Sequence, residues 1–236
     1  MNIYFILVSP QLAENVGAAA RAMNTMGFDH LRLVTPCDHL CQRARWVAHA
    51  SQHILEEASV YSSLAEAIID LDFVIGTTTR RRGKRREYFA GAELPQLLES
   101  KGSAISKVGI LFGREDRGLL NEEIEKCDAL VALSMRAPYP SLNLAQAVMV
   151  FAYILSPFVL TMKKKKQSPP PANEFKSLKN RIFRLFMVSE LDDNPNIVNR
   201  LLERMAHLSE EDIHMLHSVC ARLERKIIPD NNVLQL

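Results

Sequence analysis

Six basic residues occupy seven consecutive positions in the segment Arg80–Arg86. Cations packed this closely repel one another unless an anion is near, so such runs are typical of nucleic-acid contacts or of solvated loops. The run directly follows three threonines, Thr77–Thr79, at the end of an apolar stretch. This placement favours contact with RNA or DNA phosphates, and a solvated loop is the alternative. The residues predicted to bind nucleic acid here are Arg80, Arg82, Lys84, Arg85 and Arg86.

A lone arginine, Arg21, follows the small-residue segment Val16–Ala20. Small side chains let this segment pack closely against a neighbouring element, so Arg21 emerges from an apolar setting. An arginine in such a place is either part of a structural ion pair or a clamp for an anion. The residue pattern alone favours neither interpretation.

A second charged segment, Gly113–Gly118, holds four charged residues between two glycines and follows an apolar stretch. Glycine lets the backbone approach a ligand closely or adopt a positive φ angle. The four charges could equally pair with one another in a turn. Taken alone, this segment leaves both interpretations open.

The third polar segment, Pro138–Asn143, leads directly into a long apolar stretch. Its two prolines fix the φ angle and lack a backbone donor, which predicts a turn. Ser141 and Asn143 are placed to cap the helix that follows, because their side-chain oxygens can accept its first N–H groups. Residues 144–155 are mostly apolar on every side, which is typical of a helix buried in a core or between subunits.

Short, unbroken apolar strands alternate with helical segments, which predicts a parallel sheet covered by helices on both faces. Ligands bind to such sheets at the carboxyl ends of the strands. The three polar segments that begin at Thr77, Gly113 and Pro138 follow such strands, so we expect them to converge on one site. The predicted strands are Ile3–Val8, Leu31–Val34, Phe73–Gly76, Val108–Phe112 and Leu130–Leu133. The predicted helices before the third segment are Gln11–Met26, Ala44–Ala58, Leu64–Ile69, Ala92–Ser100 and Glu122–Cys127, the last capped by Asn121.

The composition is ordinary for a globular chain of 236 residues, with 47% hydrophobic and 24% charged residues. Because the formal net charge is only +2, any nucleic-acid binding must come from local clusters. Four cysteines without a paired framework fit a reducing compartment, so we expect a cytoplasmic protein. The longest apolar segment is interrupted by Gln146 and Pro157, and its uninterrupted part is shorter than the roughly 20 residues of a membrane span. We therefore expect no membrane association.

The character of the chain changes after Met162. Four lysines and a run of prolines predict a stiff basic linker over residues 163–171. Amphipathic spacing then resumes, and Ser209 with Asp212 matches a capping box at the start of a helix. The predicted organisation is a main domain over residues 1–162, the linker over 163–171, and a small all-helical extension over 172–236.

Several other kinds of site are excluded or disfavoured by their missing signatures. The chain has no glycine-rich dinucleotide or P-loop motif and no nucleophile elbow. Cys37, His39 and Cys41 could in principle bind zinc, but their spacing is loose and matches no paired zinc-binding motif. A polar loop after a strand is the simpler interpretation, and we expect no metal site.

Three motifs taken together carry a resemblance: Asn15–Met23, Leu111–Leu119 and Ser141–Val148. In order and spacing they resemble the signature motifs of the SpoU/TrmH (SPOUT) RNA ribose 2′-O-methyltransferases. Within that family the chain looks most similar to the TrmJ/LasT group, through Arg21–Gly27, Ile75–Arg80 and Asn121–Glu123. The resemblance covers residues 2–155.

The resemblance implies an α/β fold, a parallel sheet flanked by helices with a deep C-terminal trefoil knot at about residues 108–160. S-adenosylmethionine would lie bent in this knot, held largely by backbone groups. The resemblance also implies a homodimer with the helix after Asn143 in the interface and the site shared between protomers. By motif matching, the cofactor contacts fall on Thr77, Thr78, Thr79, Gly113, Leu133, Pro140, Ser141 and Leu142.

In this family the first-motif arginine, here Arg21, acts on the ribose 2′-hydroxyl. Because a guanidinium group is hard to deprotonate, we favour the hypothesis that it stabilises the target phosphate or the developing alkoxide electrostatically. Asn15, Glu115 and Asn143 would orient Arg21 and the ribose, and Arg114 is predicted to contact RNA. Methyl transfer by in-line displacement depends on positioning and needs no metal.

The implied substrate is tRNA, with a pyrimidine nucleotide of the anticodon loop, of the position-32 type, as the target. A loop target is accessible to an enzyme, whereas a ribose within a stable helix is not. Ribosomal RNA is the alternative substrate. The alternative class is a non-catalytic RNA-binding protein that kept the knot, and the intact set of Asn15, Arg21, Glu115 and Asn143 argues against it.

Overall fold

A computed structural model describes residues 1–78, 88–136, 142–162, 173–189 and 195–227. Within these residues, seven strands form one sheet in which every pairing is parallel, as the alternating pattern predicts. The strands are β1 (Asn2–Val8), β2 (Leu31–Val34), β3 (Ser59–Tyr61), β4 (Phe73–Thr78), β5 (Tyr88–Ala90), β6 (Lys107–Phe112) and β7 (Ala129–Ala132).

The spatial order of the strands is β3-β2-β1-β6-β4-β7-β5. The late strand β6 therefore lies between β1 and β4, and β7 lies between β4 and β5. The register pairs Gly76 with Leu111 and Thr78 with Ala132, so these strands end side by side. We call the side on which the strands end the carboxyl edge, and the side on which they begin the amino edge.

Helices connect the strands. Before the third polar segment they are α1 (Ala13–Met26), α2 (Gln42–Ala48), α3 (Gln52–Glu56), α4 (Leu64–Ile68), α5 (Leu94–Ser100) and α6 (Asn121–Ile124), and after it α7 (Leu144–Met162), α8 (Glu174–Val188), α9 (Pro195–Met205) and α10 (Glu210–Ile227).

Three sequence predictions are corrected by these elements. The single helix predicted over Ala44–Ala58 is broken into α2, a short 3-10 turn and α3, because His49 takes a positive φ of 46°. The helix predicted to start after an Asn121 cap instead includes Asn121 as its first residue. The short strands β3 and β5 were not predicted, since three residues are too few for a periodic pattern.

The long helix α7 is buried on one side and open on the other within a single protomer. Val148, Phe151, Ala152 and Leu155 are fully buried, whereas the side chain of Tyr153 is 68% exposed. One side of α7 is thus buried by the rest of the chain, and the expected burial of its other side between subunits stays a prediction. Among the described residues, no helix is long and apolar enough to cross a membrane.

The three helices after residue 173 pack against the amino edge of the sheet. Phe175 of α8 is buried and meets Phe73 of β4 edge to face, with ring centroids 5.0 Å apart. Lys179 pairs with Asp128, which immediately precedes β7. The capping box predicted for α10 is confirmed, since Ser209 and Asp212 exchange side chain to backbone hydrogen bonds. The predicted linker 163–171 lies outside the described residues. The described residues of the predicted extension, 173–189 and 195–227, form α8, α9 and α10 with short connections.

Candidate active site

Three motif residues that lie far apart in the sequence meet at the carboxyl edge. The Asn15 side chain in the first turn of α1 donates a hydrogen bond from Nδ2 to Oε1 of Glu115 at 2.8 Å. Its Oδ1 accepts a hydrogen bond from Nδ2 of Asn143, also at 2.8 Å. We call Asn15, Glu115 and Asn143 the amide–carboxylate network. It ties together the start of α1, the loop after β6 and the start of α7.

Glu115 is held in its charged form by the donors around it. Burial alone would raise the pKa of its carboxyl, but hydrogen bonds from Asn15 and from the backbone N–H groups of Gln11 and Leu12 lower the pKa below its usual value. A carboxylate is acceptor-only, so it matches three donors that converge on it. The network therefore contains a fixed negative charge at the mouth of the site.

Asn143 caps helix α7, as the sequence predicts. Its Oδ1 accepts a hydrogen bond from the backbone N–H of Ala145 at 2.9 Å, and its own N–H donates to Oε1 of Gln146 at 3.1 Å. This reciprocal arrangement satisfies donors of the first turn and fixes the side-chain amide. The same amide then reaches Asn15, so the helix cap also orients the network.

The segment Gly113–Gly118 folds into a tight loop after β6. The backbones of Arg114 and Gly118 exchange two hydrogen bonds, and a Cβ atom on Gly113 would lie 2.0 Å from the carbonyl carbon of Gly118. Glycine at position 113 is therefore required by close approach of the loop to itself. Of the four charges, Arg117 and Asp116 pair within the loop, whereas Glu115 turns to the network.

Arg114 is engaged within the protein. Its guanidinium forms a bidentate ion pair with Glu123 of α6 at 2.9 and 3.0 Å and donates to Oγ of Ser9 at 3.2 Å. Both side chains are largely buried, and a bidentate arginine–carboxylate pair has high geometric specificity. The predicted contact of Arg114 with RNA would have to compete with this ion pair, and it stays a prediction.

The predicted cofactor positions that the structure describes lie on neighbouring strand ends. Thr77 and Thr78 end β4, Gly113 follows β6, and Leu133 follows β7, and these three strands are adjacent in the sheet. The hydroxyl of Thr77 donates to the carbonyl of Leu111 at 2.8 Å and so joins β4 to β6. Thr77, Thr78, Leu133 and Leu142 are half-buried. Thr79, Pro140 and Ser141 lie outside the described residues.

These strand ends suit S-adenosylmethionine in their chemistry. They present uncharged hydroxyl and backbone groups next to half-buried leucines, which match the mixed polar and apolar surface of an adenosine. The network contributes a carboxylate beside them, which suits a positively charged methyl donor. The described residues therefore fit the cofactor that the resemblance implies.

Arg21 lies apart from the network within one protomer. It is exposed on α1, about 9 Å along the helix axis from Asn15, because six residues separate the two. Among the described residues, its guanidinium has no hydrogen bond or ion pair with a protein group. The predicted orientation of Arg21 by the network is thus not seen within one protomer. Its catalytic role stays a prediction.

The predicted basic run cannot be placed, because Arg80, Arg82, Lys84, Arg85 and Arg86 lie outside the described residues. The nearest described residues before and after it are Thr78, which ends β4, and Tyr88, which begins β5.

No group of three or more His, Cys, Asp or Glu side chains is placed to hold a metal ion in the described parts of the chain. Cys37 and Cys41 are free and half-buried. Burial and the nearby charge of Glu115 raise the pKa of the Cys37 thiol, which keeps it neutral and a poor metal ligand.

Sequence reasoning missed the partners that complete the site. Glu123 lies in a predicted helix, and nothing in the sequence indicates that its carboxylate holds Arg114. The backbone N–H groups of Gln11 and Leu12 carry no sequence signal for Glu115 binding, because every residue type offers the same donor. Pro10, directly before them, marks the end of β1 and was the available sign of a loop there.

Comparisons with known proteins agree with this geometry. Residues 2–153 match the SpoU rRNA Methylase family, and residues 172–227 match the C-terminal domain of the tRNA/rRNA methyltransferase LasT. The chain is 42% identical to the uncharacterized tRNA/rRNA methyltransferase LasT of Escherichia coli, over 96% of this chain and 99% of that protein. It is 44% identical to the tRNA (cytidine-2′-O-)-methyltransferase TrmJ of Methanocaldococcus jannaschii, over 64% of this chain and 66% of that protein.

Among solved structures, TrmJ from Z. mobilis superposes with a TM-score of 0.65 at 30% identity, covering 95% of this chain and 100% of that one. The match therefore extends over almost the whole of both chains. The family match over residues 2–153, together with 42% identity to a relative of almost the same length, shows that this chain belongs to the SpoU methylase family.

Proposed function

We propose that this chain is an S-adenosylmethionine-dependent RNA ribose 2′-O-methyltransferase that acts on tRNA. The observation that carries the proposal is the amide–carboxylate network, which joins all three family motifs at one edge of the sheet. A relative that is 44% identical is named a tRNA cytidine 2′-O-methyltransferase, and others are named for cytidine and uridine. We therefore propose a pyrimidine nucleotide of the anticodon loop as the target, in a protein of the cytoplasm.

The ends of β4, β6 and β7 would hold the cofactor, through Thr77, Thr78, Gly113 and Leu133, with Leu142 at the side. When bound there, S-adenosylmethionine supplies a methyl group on a positively charged sulfonium. Glu115 stays negative in this setting because its donors lower its pKa, and it keeps the network rigid. Rigid positioning of the two reacting groups supplies much of the rate of a displacement reaction.

Arg21 is proposed to stabilise the negative charge that develops on the ribose 2′-oxygen, or the neighbouring phosphate, while a phosphate or water accepts the proton. Its guanidinium is exposed and lies about 9 Å along α1 from its own network. We therefore propose that Arg21 acts in the site of a partner protomer in a homodimer.

The exposed side of α7 supports such a homodimer. Tyr153 is 68% exposed there, and Met149 and Ile154 are half-buried beside it. Apolar helix faces of this kind are typical of protein interfaces. A Tyr153→Glu variant places a charge in the proposed interface, and we expect it to sediment as a monomer and to lose turnover. A dimer of unchanged stability would contradict the proposed interface.

The strand order supports the proposed trefoil knot over about residues 108–160, because β7 lies between β4 and β5, which are connected by residues 79–87. We also keep the proposed division into a main domain over 1–162, a linker over 163–171 and a helical extension over 172–236.

The proposal is tested by incubating the purified protein with S-adenosylmethionine and with tRNA or ribosomal RNA from a strain lacking its gene, and then mapping the methylated nucleotide. We expect one 2′-O-methylated pyrimidine in the anticodon loop of tRNA. Methylation of ribosomal RNA alone would move the substrate to the alternative. Binding of RNA without binding of S-adenosylmethionine in calorimetry would indicate a non-catalytic RNA-binding protein.

A further inference from the structure

The single tryptophan of the chain lies on the surface. Trp46 of α2 is 70% exposed, although an indole ring has a large apolar area whose exposure is unfavourable. The other side of α2 is well packed, since Ala44 and Ala48 are fully buried. The exposure of Trp46 therefore follows from the orientation of a firmly packed helix.

Trp46 belongs to a continuous exposed face. Arg43, three residues earlier and so on the same side of α2, has a side chain that is 78% exposed. His49 and His53, which follow α2 in the chain, are also exposed. We call Arg43 and Trp46 the α2 face. It offers a flat aromatic ring beside a guanidinium, the pair of groups that single-stranded nucleic acids bind through their bases and phosphates.

The α2 face is rigidly connected to the active site. Helices α1 and α2 approach so closely that a Cβ atom on Gly17 would lie 2.2 Å from the carbonyl oxygen of Ala44. Nη1 of Arg43 lies 3.7 Å from Oε1 of Glu14, the residue next to Asn15 of the network. Because α2 starts after the loop that leaves β2 at the carboxyl edge, Trp46 lies about one helical turn below that edge.

The ion pair of Arg43 with Glu14 leaves the arginine available to another anion. Both side chains are exposed, and at 3.7 Å the contact is at the outer limit of an ion pair. Exposed ion pairs of this kind contribute little to stability. A phosphate that binds bidentately to the guanidinium would be a stronger partner.

We propose that the α2 face binds an unpaired nucleotide of the RNA substrate next to the one that is methylated, with its base stacked on Trp46 and its phosphate held by Arg43. This deepens the proposed function and rests on it. Stacking on an aromatic ring requires a base that is not already stacked in a helix, so the face selects a single-stranded loop around the target. Stacking on an aromatic ring tolerates any base. The α2 face therefore contributes affinity and positions the RNA, whereas the choice of the methylated base depends on the active site.

Trp46 can be tested directly because the chain has no second tryptophan. In the free protein, its fluorescence should be strongly quenched by acrylamide, as expected for an exposed indole. Saturation with unmodified tRNA should change its emission and protect it from acrylamide. A tRNA complex, confirmed by gel shift, in which Trp46 remains as accessible as in the free protein would overturn the proposal.

The quenching experiment would give a different result if the α2 face were occupied by another copy of the chain. If another copy of the chain covered Trp46, the indole would be protected in the free protein, and dilution would expose it. That result would also overturn the proposal, in favour of an interface between copies.

Substitutions give the functional arm of the test. Trp46→Ala should raise the KM for tRNA about tenfold, as expected for loss of one stacked base, while Trp46→Phe keeps most of the affinity. Ile69→Ala is the matched control, because Ile69 is 72% exposed at the amino edge, away from the site, and should leave the KM unchanged. Arg43→Gln should make the plot of log affinity against log salt concentration less steep. The change in slope should be about that expected for the loss of one phosphate contact.

Failure of the α2 face can be distinguished from failure of the proposed function. If the wild-type protein methylates tRNA and Trp46→Ala has the same KM, the site is correct and the α2 face is wrong. If the wild-type protein binds S-adenosylmethionine but methylates no tRNA, the proposed function itself is wrong.

Discussion

The two edges of the sheet are both rich in polar side chains, but they use them differently. At the carboxyl edge, the amide–carboxylate network reaches outwards to the exposed Asn143. At the amino edge, Lys101 is 0% exposed and donates to the backbone carbonyls of Ala206 and Leu208, just after α9. The polar groups of this second edge face other protein groups.

The amino edge is built as a docking surface for the helical extension. The Nζ atom of Lys101 lies 5.4 Å from the ring centroids of both Phe73 and Phe175, so one cation joins a strand of the sheet to a helix of the extension. Nearby, Asp72 is buried and accepts hydrogen bonds from the backbones of Ser106 and Lys107. These charges are enclosed and fully used, which is the pattern of a structural contact.

The difference teaches that a charged residue at a strand end is not by itself a sign of function. Asp72 and Glu115 are both carboxylates near strand ends, and both accept several hydrogen bonds. Glu115 is linked to the exposed amide of Asn143, whereas Asp72 joins the start of β4 to the start of β6. Exposure and the destination of the hydrogen bonds separate the two roles.

The largest effect should come from Arg21→Lys, which keeps the charge but loses the planar fork. We expect turnover of tRNA to fall about 100-fold, as for loss of one electrostatic donor in other active sites. The affinity for S-adenosylmethionine, measured by calorimetry, should not change. Arg184→Lys, on the exposed side of α8, is the control, and near-normal turnover of Arg21→Lys would contradict the assignment.

A second substitution, Lys101→Met, should loosen the amino edge without touching the site. Methionine fills a similar volume but leaves the carbonyls of Ala206 and Leu208 without their donor, which costs about 2 kcal/mol. We expect helices α8–α10 to be cleaved faster by a protease, with unchanged affinity for S-adenosylmethionine. Lys126→Met, an exposed lysine, is the matched control. Loss of cofactor binding instead would show that the two edges are coupled.

Glu115→Gln should have a smaller effect, confined to the carboxyl edge. The new side chain keeps one acceptor oxygen and replaces the other with an NH2 donor. This donor conflicts with the N–H of Gln11 or, in the flipped orientation, with the N–H of Leu12 and the amide of Asn15. We expect about a tenfold fall in turnover and a modest loss of thermal stability, measured by calorimetry. A turnover equal to that of the wild type would mean that the network is only structural.

The smallest effect is a pH dependence at the amino edge. Burial lowers the pKa of Lys101 from 10.5 to about 8, against the opposing charges of Asp128 and Asp212. The docked state therefore binds this proton less tightly than the undocked state, so docking becomes more stable as the pH rises from about 8 towards 10.5.

The measurement is the rate of proteolysis of the extension at two pH values. We expect the equilibrium constant for opening of the extension to fall about fourfold between about pH 7 and pH 8.5, because the docked state binds the Lys101 proton less tightly. The Lys101→Met variant should lack this pH dependence. Its rate of proteolysis at the two pH values therefore measures what the other titrating groups and the protease itself contribute. Docking that weakens over the same range would show that Lys101 must be charged to hold the extension.

The sequence could predict what depends on neighbours in the chain. Apolar runs such as Leu31–Val34 and the caps of α7 and α10 were found because strands, caps and turns have local signatures. Asn15, Glu115 and Asn143 were grouped through the family resemblance, and the structure brings them into contact.

What could not be predicted depends on contacts across the fold. Lys101 lies 105 residues before its acceptor Ala206, and nothing in its neighbours marks it as buried. The pairing of Arg114 with Glu123 was missed because other charges were available closer in sequence. The break at His49 was missed because a positive φ is uncommon at any residue other than glycine, so nothing in the sequence marks this position.

The network has a consequence for how the protein is made. Asn15 contacts Asn143, which lies 128 positions later in the chain, so the contact cannot form until α7 has been synthesised. At ordinary rates of translation this delay is on the order of ten seconds. During that time α1 has already left the ribosome, whereas Asn143 has not. The network is therefore one of the last contacts around the sheet to assemble, and a nascent chain that stops before residue 143 lacks it.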